Sequence, residues 1–360
     1  MLRRMAGETQ IGTDPRHAVV VTGIPEPLAA VLHGLDGRHT TDELMARAGP
    51  DHRILHQILT GLAGLGLIDD AAPADPVTGA AALASPARLS ADRTAWVLRS
   101  GHRHTSITRC REPAVVVVHG SGRIAVALAT LLAASGVGWV HTVAAGVVQP
   151  SDTGSGYLDE DIGHARAEAA ERAVRRIAPE TRTGRPDPRK RPDLVILTDA
   201  AVPEPRLSAG LSAAGLPHLV VHAGEGTGTV GPLVVPMRTS CLHCIDLHNT
   251  DVDPCWPALA AQLADRPQPA DLATAQATAA FAAGQALRFL HSCQQAEVMA
   301  AAELPVWSAS VEIDVFGCRS TRVERLPHPQ CPCGVAGSTA VTATADPAGP
   351  IPSSGGRFDN

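Results

Sequence analysis

Short β-branched runs alternate with stretches of helical periodicity through most of the chain from residue 113 onward. Val115–Val118 is an unbroken β-branched run, the pattern of a strand buried on both faces. A helix is expected from about Arg123 to Ala134, a strand over Trp139–Val143 and a helical segment from His164 to Ile177. A strand over Leu194–Thr198, a helix over Leu207–Ala214 and a strand over Leu219–His222 continue the rhythm. Strands alternating with helices predict an α/β fold: a doubly wound, Rossmann-like domain with a parallel sheet.

Residues 18–70 show a different pattern. Ala18–Val21 reads as a short strand, and Leu28, Leu32 and Leu35 fall at helical spacing before Gly37. Thr40 or Thr41 is placed to cap a second helix through Ala48, with Glu43 in its first turn. A third helix from about Arg53 to Leu65 aligns Ile54, Ile58, Leu62 and Leu65, and Leu67-Ile68 begins a strand. Three short helices with a flanking β segment are expected to form a winged-helix-like module; the alternative is a small helical cap on the main domain. Residues 71–95, rich in Ala and Pro, read as a linker to an α/β domain over 96–335. Residues 336–360 contain almost no large apolar side chain and read as a disordered tail.

Composition narrows the functional classes. With one Tyr, four Phe and four Trp, the core must be built mainly of Ala, Val and Leu. Arginine supplies nearly all the basic charge; Lys190 is the single lysine, so a mechanism that needs a buried lysine has no other candidate. A net charge of −6 argues against a general nucleic-acid binder. No apolar segment is long enough to span a membrane, and MLRRMAGETQ lacks the apolar core of a signal peptide, so a cytoplasmic protein is expected. In a reducing compartment, eight cysteines are better metal ligands and bystanders than disulfides.

Two motifs carry chemistry. Gly120-Ser121-Gly122-Arg123-Ile124-Ala125 follows the Val115–Val118 strand and opens a helix. Such a turn can present free N–H groups to a phosphate, or it can serve packing alone. The acid that would bind ribose hydroxyls at the end of the second strand is missing from His141–Val147. The second motif pairs Cys241-Leu-His-Cys244 with Cys331-Pro-Cys333. Four thiolates close the coordination sphere of a structural Zn2+ and leave no position for catalytic water. His243, His248 and His328 are candidate substitute ligands, and Cys110, Cys255, Cys293 and Cys318 read as small apolar residues. Cys255, in Asp253-Pro-Cys-Trp-Pro257, invites a nucleophile reading but has no identifiable base.

The order of these features resembles the ThiF/MoeB-like family, relatives of ubiquitin-activating enzymes, over roughly residues 113–335. The resemblance is carried by the Gly-x-Gly turn, Asp161-Ile-Gly163-His-Ala-Arg166, Asp193–Asp199, the Cys-x-x-Cys, the helix Ala279–Leu290 and the closing cysteine pair. More narrowly it is similar to a cyclodehydratase-like, leader-peptide-binding branch associated with thiazole/oxazole-modified peptides, on Val230–Pro236, Asp253-Pro and Trp256-Pro257. The resemblance implies ATP/Mg2+-dependent adenylation of a C-terminal carboxylate. Gly120 and Gly122 match the family's turn, Asp199 its magnesium-linked aspartate, and Arg166 stands where a lysine is expected. The ribose acid and an Asn-Leu-x-Arg-Gln stretch have no counterpart. The expectation is therefore a scaffold with an eroded ATP site that binds a precursor peptide or partner protein, a YcaO-type cyclodehydratase being one such partner. The alternative is an adenylating enzyme using Asp199, Arg166 and Arg123. A homodimer is the family's implied assembly.

Overall fold

The computed structural model describes residues 1–68, 88–100, 107–293 and 305–335; the expected tail and most of the expected linker lie outside these. The chain opens with a three-stranded antiparallel sheet, β1 (Leu2–Arg3), β2 (Glu8–Ile11) and β3 (Val19–Thr22), in that spatial order. Three helices follow, α1 (Glu26–His33), α2 (Thr41–Ala48) and α3 (His52–Gly64). Thr40 caps α2 as its sequence predicts. The Glu43 N–H donates to Thr40 Oγ1 (3.3 Å), and the Thr40 N–H donates to Glu43 Oε2 (2.9 Å).

Two expectations for this unit are corrected. The buried stripe of α3 runs through Leu55 and Leu62, flanked by Ile58 and Leu59, while Ile54 is 37% exposed. The helix is thus turned by about one position, because Leu55 completes the cluster around Leu28 and Leu32. Leu67 and Ile68 form a bend that packs on this cluster and do not start a strand. The sheet comes from residues ahead of the helices instead, where Glu8-Thr-Gln-Ile11 alternates between half-buried and buried positions. Part of the stretch expected as linker is helical as well: α4 spans Ser90–Ser100, followed by α5 (Ile107–Arg111).

The main sheet has seven strands. In chain order they are β4 (Val115–His119), β5 (Trp139–Val143), β6 (Leu194–Thr198), β7 (His218–Gly224), β8 (Thr227–Val234), β9 (Ala309–Asp314) and β10 (Arg319–Glu324). Their spatial order is β10-β9-β8-β7-β6-β4-β5. The helices are α6 (Arg123–Ala134), α7 (Arg166–Ile177), α8 (Pro205–Ala213), α9 (Leu242–Val252), α10 (Trp256–Leu263) and α11 (Leu272–Cys293). Strands β5, β4, β6 and β7 are parallel as expected, but β8, β9 and β10 run antiparallel, so the sheet is mixed. The switch lies at Glu225-Gly226, with φ of 54° and 79°. Two consecutive left-handed residues make a tight hairpin that returns the chain beside β7 and leaves no room for a crossover helix.

Both faces of the parallel strands are covered. Val116, Val118, Ile196 and Leu219 face α6 and α11, whose Ala125, Ala129, Ala279 and Ala286 are fully buried. Their small side chains let the two helices approach closely and make an aromatic-poor core workable. Val117, Val195 and Leu197 face the other way, onto Leu207 and Leu211 of α8. The glycine turn thus sits between two filled layers, at the C-terminal ends of β4 and β6.

His291, on α11, is 3% exposed, and neither ring nitrogen has a hydrogen-bond partner among the described residues. Burial, reinforced by the nearby Arg111 charge, lowers its pKa from 6.5 to about 3. The unfolded chain therefore takes up a proton below pH 6.5 that the folded chain refuses. Stability is expected to be full above this pH and to decline as pH falls toward 3. Urea-unfolding midpoints across that range should show the slope, and His291→Leu should flatten it.

Candidate functional site

The glycine turn is built by close contact. Gly120 has φ 154°, and a Cβ there would lie 1.7 Å from Thr198 Oγ1, so no larger residue fits between β4 and β6. Thr198 is held in place by donating to the His119 carbonyl (3.0 Å). Ser121 Oγ accepts the N–H of Ala145 (3.0 Å), joining the turn to the segment after β5. Tyr157 is fully buried below, its hydroxyl 3.4 Å from the carbonyls of Ser121 and Arg166.

The N–H groups that such a turn offers to an anion already have one. Asp199 Oδ2 accepts from Ser121 N (2.6 Å) and from Gly122 N (2.9 Å). The aspartate ends β6 with φ 75°, is 8% exposed, and its own carbonyl accepts the Gln268 N–H (2.9 Å). Burial pushes its pKa up against the two backbone hydrogen bonds, which favour the carboxylate. A carboxylate oxygen thus accepts from two backbone N–H groups at the start of α6, where a helix end favours an anion.

The two arginines expected to handle charge are engaged within the chain. Arg166 ion-pairs with Asp152 (2.7 Å, with Nε also at 3.0 Å from the same oxygen) and donates to the Ala145 carbonyl. It thus lies beneath Gly146, in the region that lacks a ribose-binding acid, where a Cβ on Gly146 would stand 3.2 Å from its guanidinium. Arg123 donates to the carbonyls of Thr153 and Ala270, each 3.2 Å away. Gly120, Gly122 and Asp199 therefore come together, Arg166 stands alongside, and Arg123 is directed toward neighbouring loops. Sequence reasoning missed Asp152 and Tyr157. Both lie in Ser151–Glu160, the stretch whose lack of a family motif drew attention away from its buried aspartate and lone tyrosine.

The cysteines converge as their spacing requires. Cys241 Sγ lies 3.8 Å from Cys244 Sγ and 3.5 Å from Cys331 Sγ, and Cys244 Sγ lies 3.5 Å from Cys333 Sγ. All four sulfurs fall within 4.8 Å of one another. A tetrahedron with Zn–S bonds of ~2.3 Å has edges of about 3.8 Å, so the set fits zinc. Cys241 sits at the N-cap of α9, where the helix end favours a thiolate. Burial pushes its thiol up to about 11, a cost that a divalent cation offsets.

None of the three histidines joins this cluster. His243 is exposed, and His248 Nε2 lies 3.1 Å from the Leu326 carbonyl. His328 accepts the Gln330 N–H at Nδ1 (3.1 Å), so its proton is on Nε2, 2.9 Å from Asp251 Oδ2. His328 therefore braces the loop that carries Cys331 against α9. Cys255 is exposed at the start of α10.

A cavity of about 720 Å³ opens against the knuckle. Ala201, Val202 and Trp256 supply apolar lining, Cys241 and Cys333 one wall, and His222, Ser310 and Arg325 polar groups. Arg325 donates to Ser310 Oγ (3.1 Å), which fixes a permanent cation at the cavity.

The family model described as "ThiF family" matches residues 106–333, and the chain belongs to this family. Among solved structures it is similar to MccB of E. coli, solved with MccA-N7isoASN: TM-score 0.58 and 14% identity, covering 91% of this chain and 98% of that one. MccB solved with ATP gives TM-score 0.58 and 13% identity, covering 91% and 97%. PaaA gives TM-score 0.59 and 16% identity, covering 89% and 99%. At these identities the likeness is one of fold. No curated protein sequence matches the chain.

Metal analysis of the purified protein is expected to find about one zinc per chain. Cys241→Ser should lower the zinc content and the thermal midpoint together; a metal-free protein that is fully folded would contradict the assignment.

Proposed function

We propose that this chain is a ThiF-type scaffold for peptide modification, which binds a precursor peptide and presents it to a partner enzyme while its own nucleotide site is eroded. The observation that carries the reading is the Asp199 carboxylate seated on the Ser121 and Gly122 N–H groups. An incoming phosphate must displace a buried anion from its donors. It would find no lysine nearby, and Arg166 and Arg123 already bound. Phosphoryl-site chemistry depends on several charges positioned together, so these losses compound.

Peptide recognition falls to the N-terminal unit, read as winged-helix-like. Its β3 is an edge strand of the three-stranded sheet, unpaired on its outer side among the described residues, and an extended peptide can add there as a fourth strand. MccB, similar in fold over 91% of this chain, has been solved with N-formylated MccA, which supports a peptide as ligand. A YcaO-type cyclodehydratase is the partner this reading implies, with a homodimer as the assembled form.

The alternative is carboxylate adenylation, with Asp199 on magnesium and Arg166 and Arg123 on phosphates. The observation favouring it is that MccB has been solved with ATP. The two readings diverge in one assay. On the scaffold reading, calorimetry with Mg·ATP detects no micromolar binding, and ATP–pyrophosphate exchange is absent with or without a candidate precursor peptide. Exchange that depends on the peptide would establish the alternative. Val20 points outward from β3, 37% exposed, so Val20→Glu should weaken binding of that peptide about tenfold without changing zinc content.

A further inference from the structure

Residues 182–191 hold five cations, Arg182, Arg185, Arg189, Lys190 and Arg191, in a chain whose net charge is −6. All five are exposed, and none makes an ion pair among the described residues. The contrast with other arginines is local and specific: Arg166, Arg172, Arg175 and Arg176 on nearby α7 all face carboxylates. The two acids within or next to the loop accept from backbone N–H groups. Asp187 Oδ1 accepts the Arg189 N–H (2.8 Å), and Asp193 Oδ2 accepts the Val115 N–H (2.8 Å).

The loop is also held in shape. Arg182 pairs by backbone with Trp139 at the start of β5, and the Trp139 indole donates to the Gly184 carbonyl (2.7 Å). Arg182 Cζ and Lys190 Nζ stand 5.5 and 5.2 Å from the Trp139 ring centroid, placing two of the charges on one indole. Arg191 Nη2 donates to the carbonyls of Ala214 and Gly215 just past α8. Pro186, Pro188 and Pro192 stiffen what remains. Concentrated charge on an ordered segment is costly without a counter-charge, because like charges repel and no carboxylate pairs with them among the described residues. The loop lies at the N-terminal ends of β4, β5 and β6, the edge of the sheet opposite the glycine turn.

We propose that this loop is a docking surface for an acidic stretch of a partner polypeptide, separate from the peptide-binding unit and from the glycine turn. The charge is short-ranged at physiological salt, where fields fade over ~8 Å, so it suits a compact acidic segment. A long polyanion such as DNA would meet the negative remainder of the molecule. Trp139, the loop's aromatic neighbour, is engaged by cations and not offered to bases, and the loop carries no large apolar side chain for a membrane.

The test uses the full chain with its zinc, and a short Glu/Asp-rich peptide as probe. The same peptide with Gln and Asn in place of the acids is the control, and both are titrated at physiological ionic strength. Binding of the acidic peptide alone is expected. Among the described residues the Arg185 and Arg189 side chains make no hydrogen bond or ion pair, so Arg185→Glu with Arg189→Glu should weaken binding at least about tenfold, the thermal midpoint being unchanged. Arg185→Gln with Arg189→Gln should give an intermediate loss. An equal charge reversal at Arg4 and Arg53, on the N-terminal unit, should leave binding intact. Equal affinity for both peptides, no effect of the loop variants, or an equal loss from the N-terminal reversal would each overturn the proposal. Tighter binding of a DNA duplex than of the acidic peptide would overturn it in favour of nucleic acid.

Discussion

The four sulfurs of Cys241, Cys244, Cys331 and Cys333 lie on two segments some ninety residues apart, with the elements from α9 to β10 between them. Between the two pairs run α9, α10, α11 and the β9–β10 hairpin. Strand β9 must lie against β8, and α11 against α6, for the second pair to meet the first. A metal held by these four thiolates would tie the segment that follows β8 to the segment that follows β10, beside the cavity that has Cys241 and Cys333 in its wall. His328 extends the tie: by holding Gln330 and Asp251 at once, it orients the short Cys-Pro-Cys loop before any metal arrives.

Against that rigid frame, the glycine turn reads as a self-contained device. A phosphate-binding turn without its ligand leaves a cluster of aligned N–H donors that need an acceptor. Here Asp199 supplies it, at the expense of a left-handed backbone and a buried charge. Both strains are tolerated because two backbone N–H groups converge on one oxygen, and because Thr198 and Gly120 fit together without space for adjustment. The close fit of Gly120 on Thr198 holds the turn's shape, and its Ser121 and Gly122 donors are taken up within the chain.

The sequence was most legible where local and global forces agree. The capping box at Thr40, the β-branched run of β4, the limits of α6 and the convergence of four cysteines could all be read from spacing. Strand β8 could not. Thr227–Val234 contains two glycines and a proline, and only pairing with β7 and β9 makes it extended. Strand β10 was equally hidden, since Arg-Ser-Thr-Arg-Val-Glu is polar and lies at the sheet's edge. On α3 the apolar positions allow two overlapping stripes, and tertiary packing on Leu28 and Leu32 selects the one through Leu55. At the glycine turn, the residue types left open a phosphate ligand or packing alone, and the structure shows the donors on Asp199. That the anion is Asp199 depends on a long-range contact between β4 and β6, which periodicity does not encode.

Tryptophan is scarce here, and where its four copies fall gives the molecule a built-in optical readout. Trp256 donates to Asp246 (3.1 Å) at the cavity beside the knuckle, while Trp139 sits under the cations of the 182–191 loop on the far edge of the sheet. Trp307, with Arg238 over its ring, and Trp96, against His291, are the other two. In two single-tryptophan variants, Trp256 emission would report changes at the cysteine cluster and Trp139 emission changes at the cationic loop, without an external label.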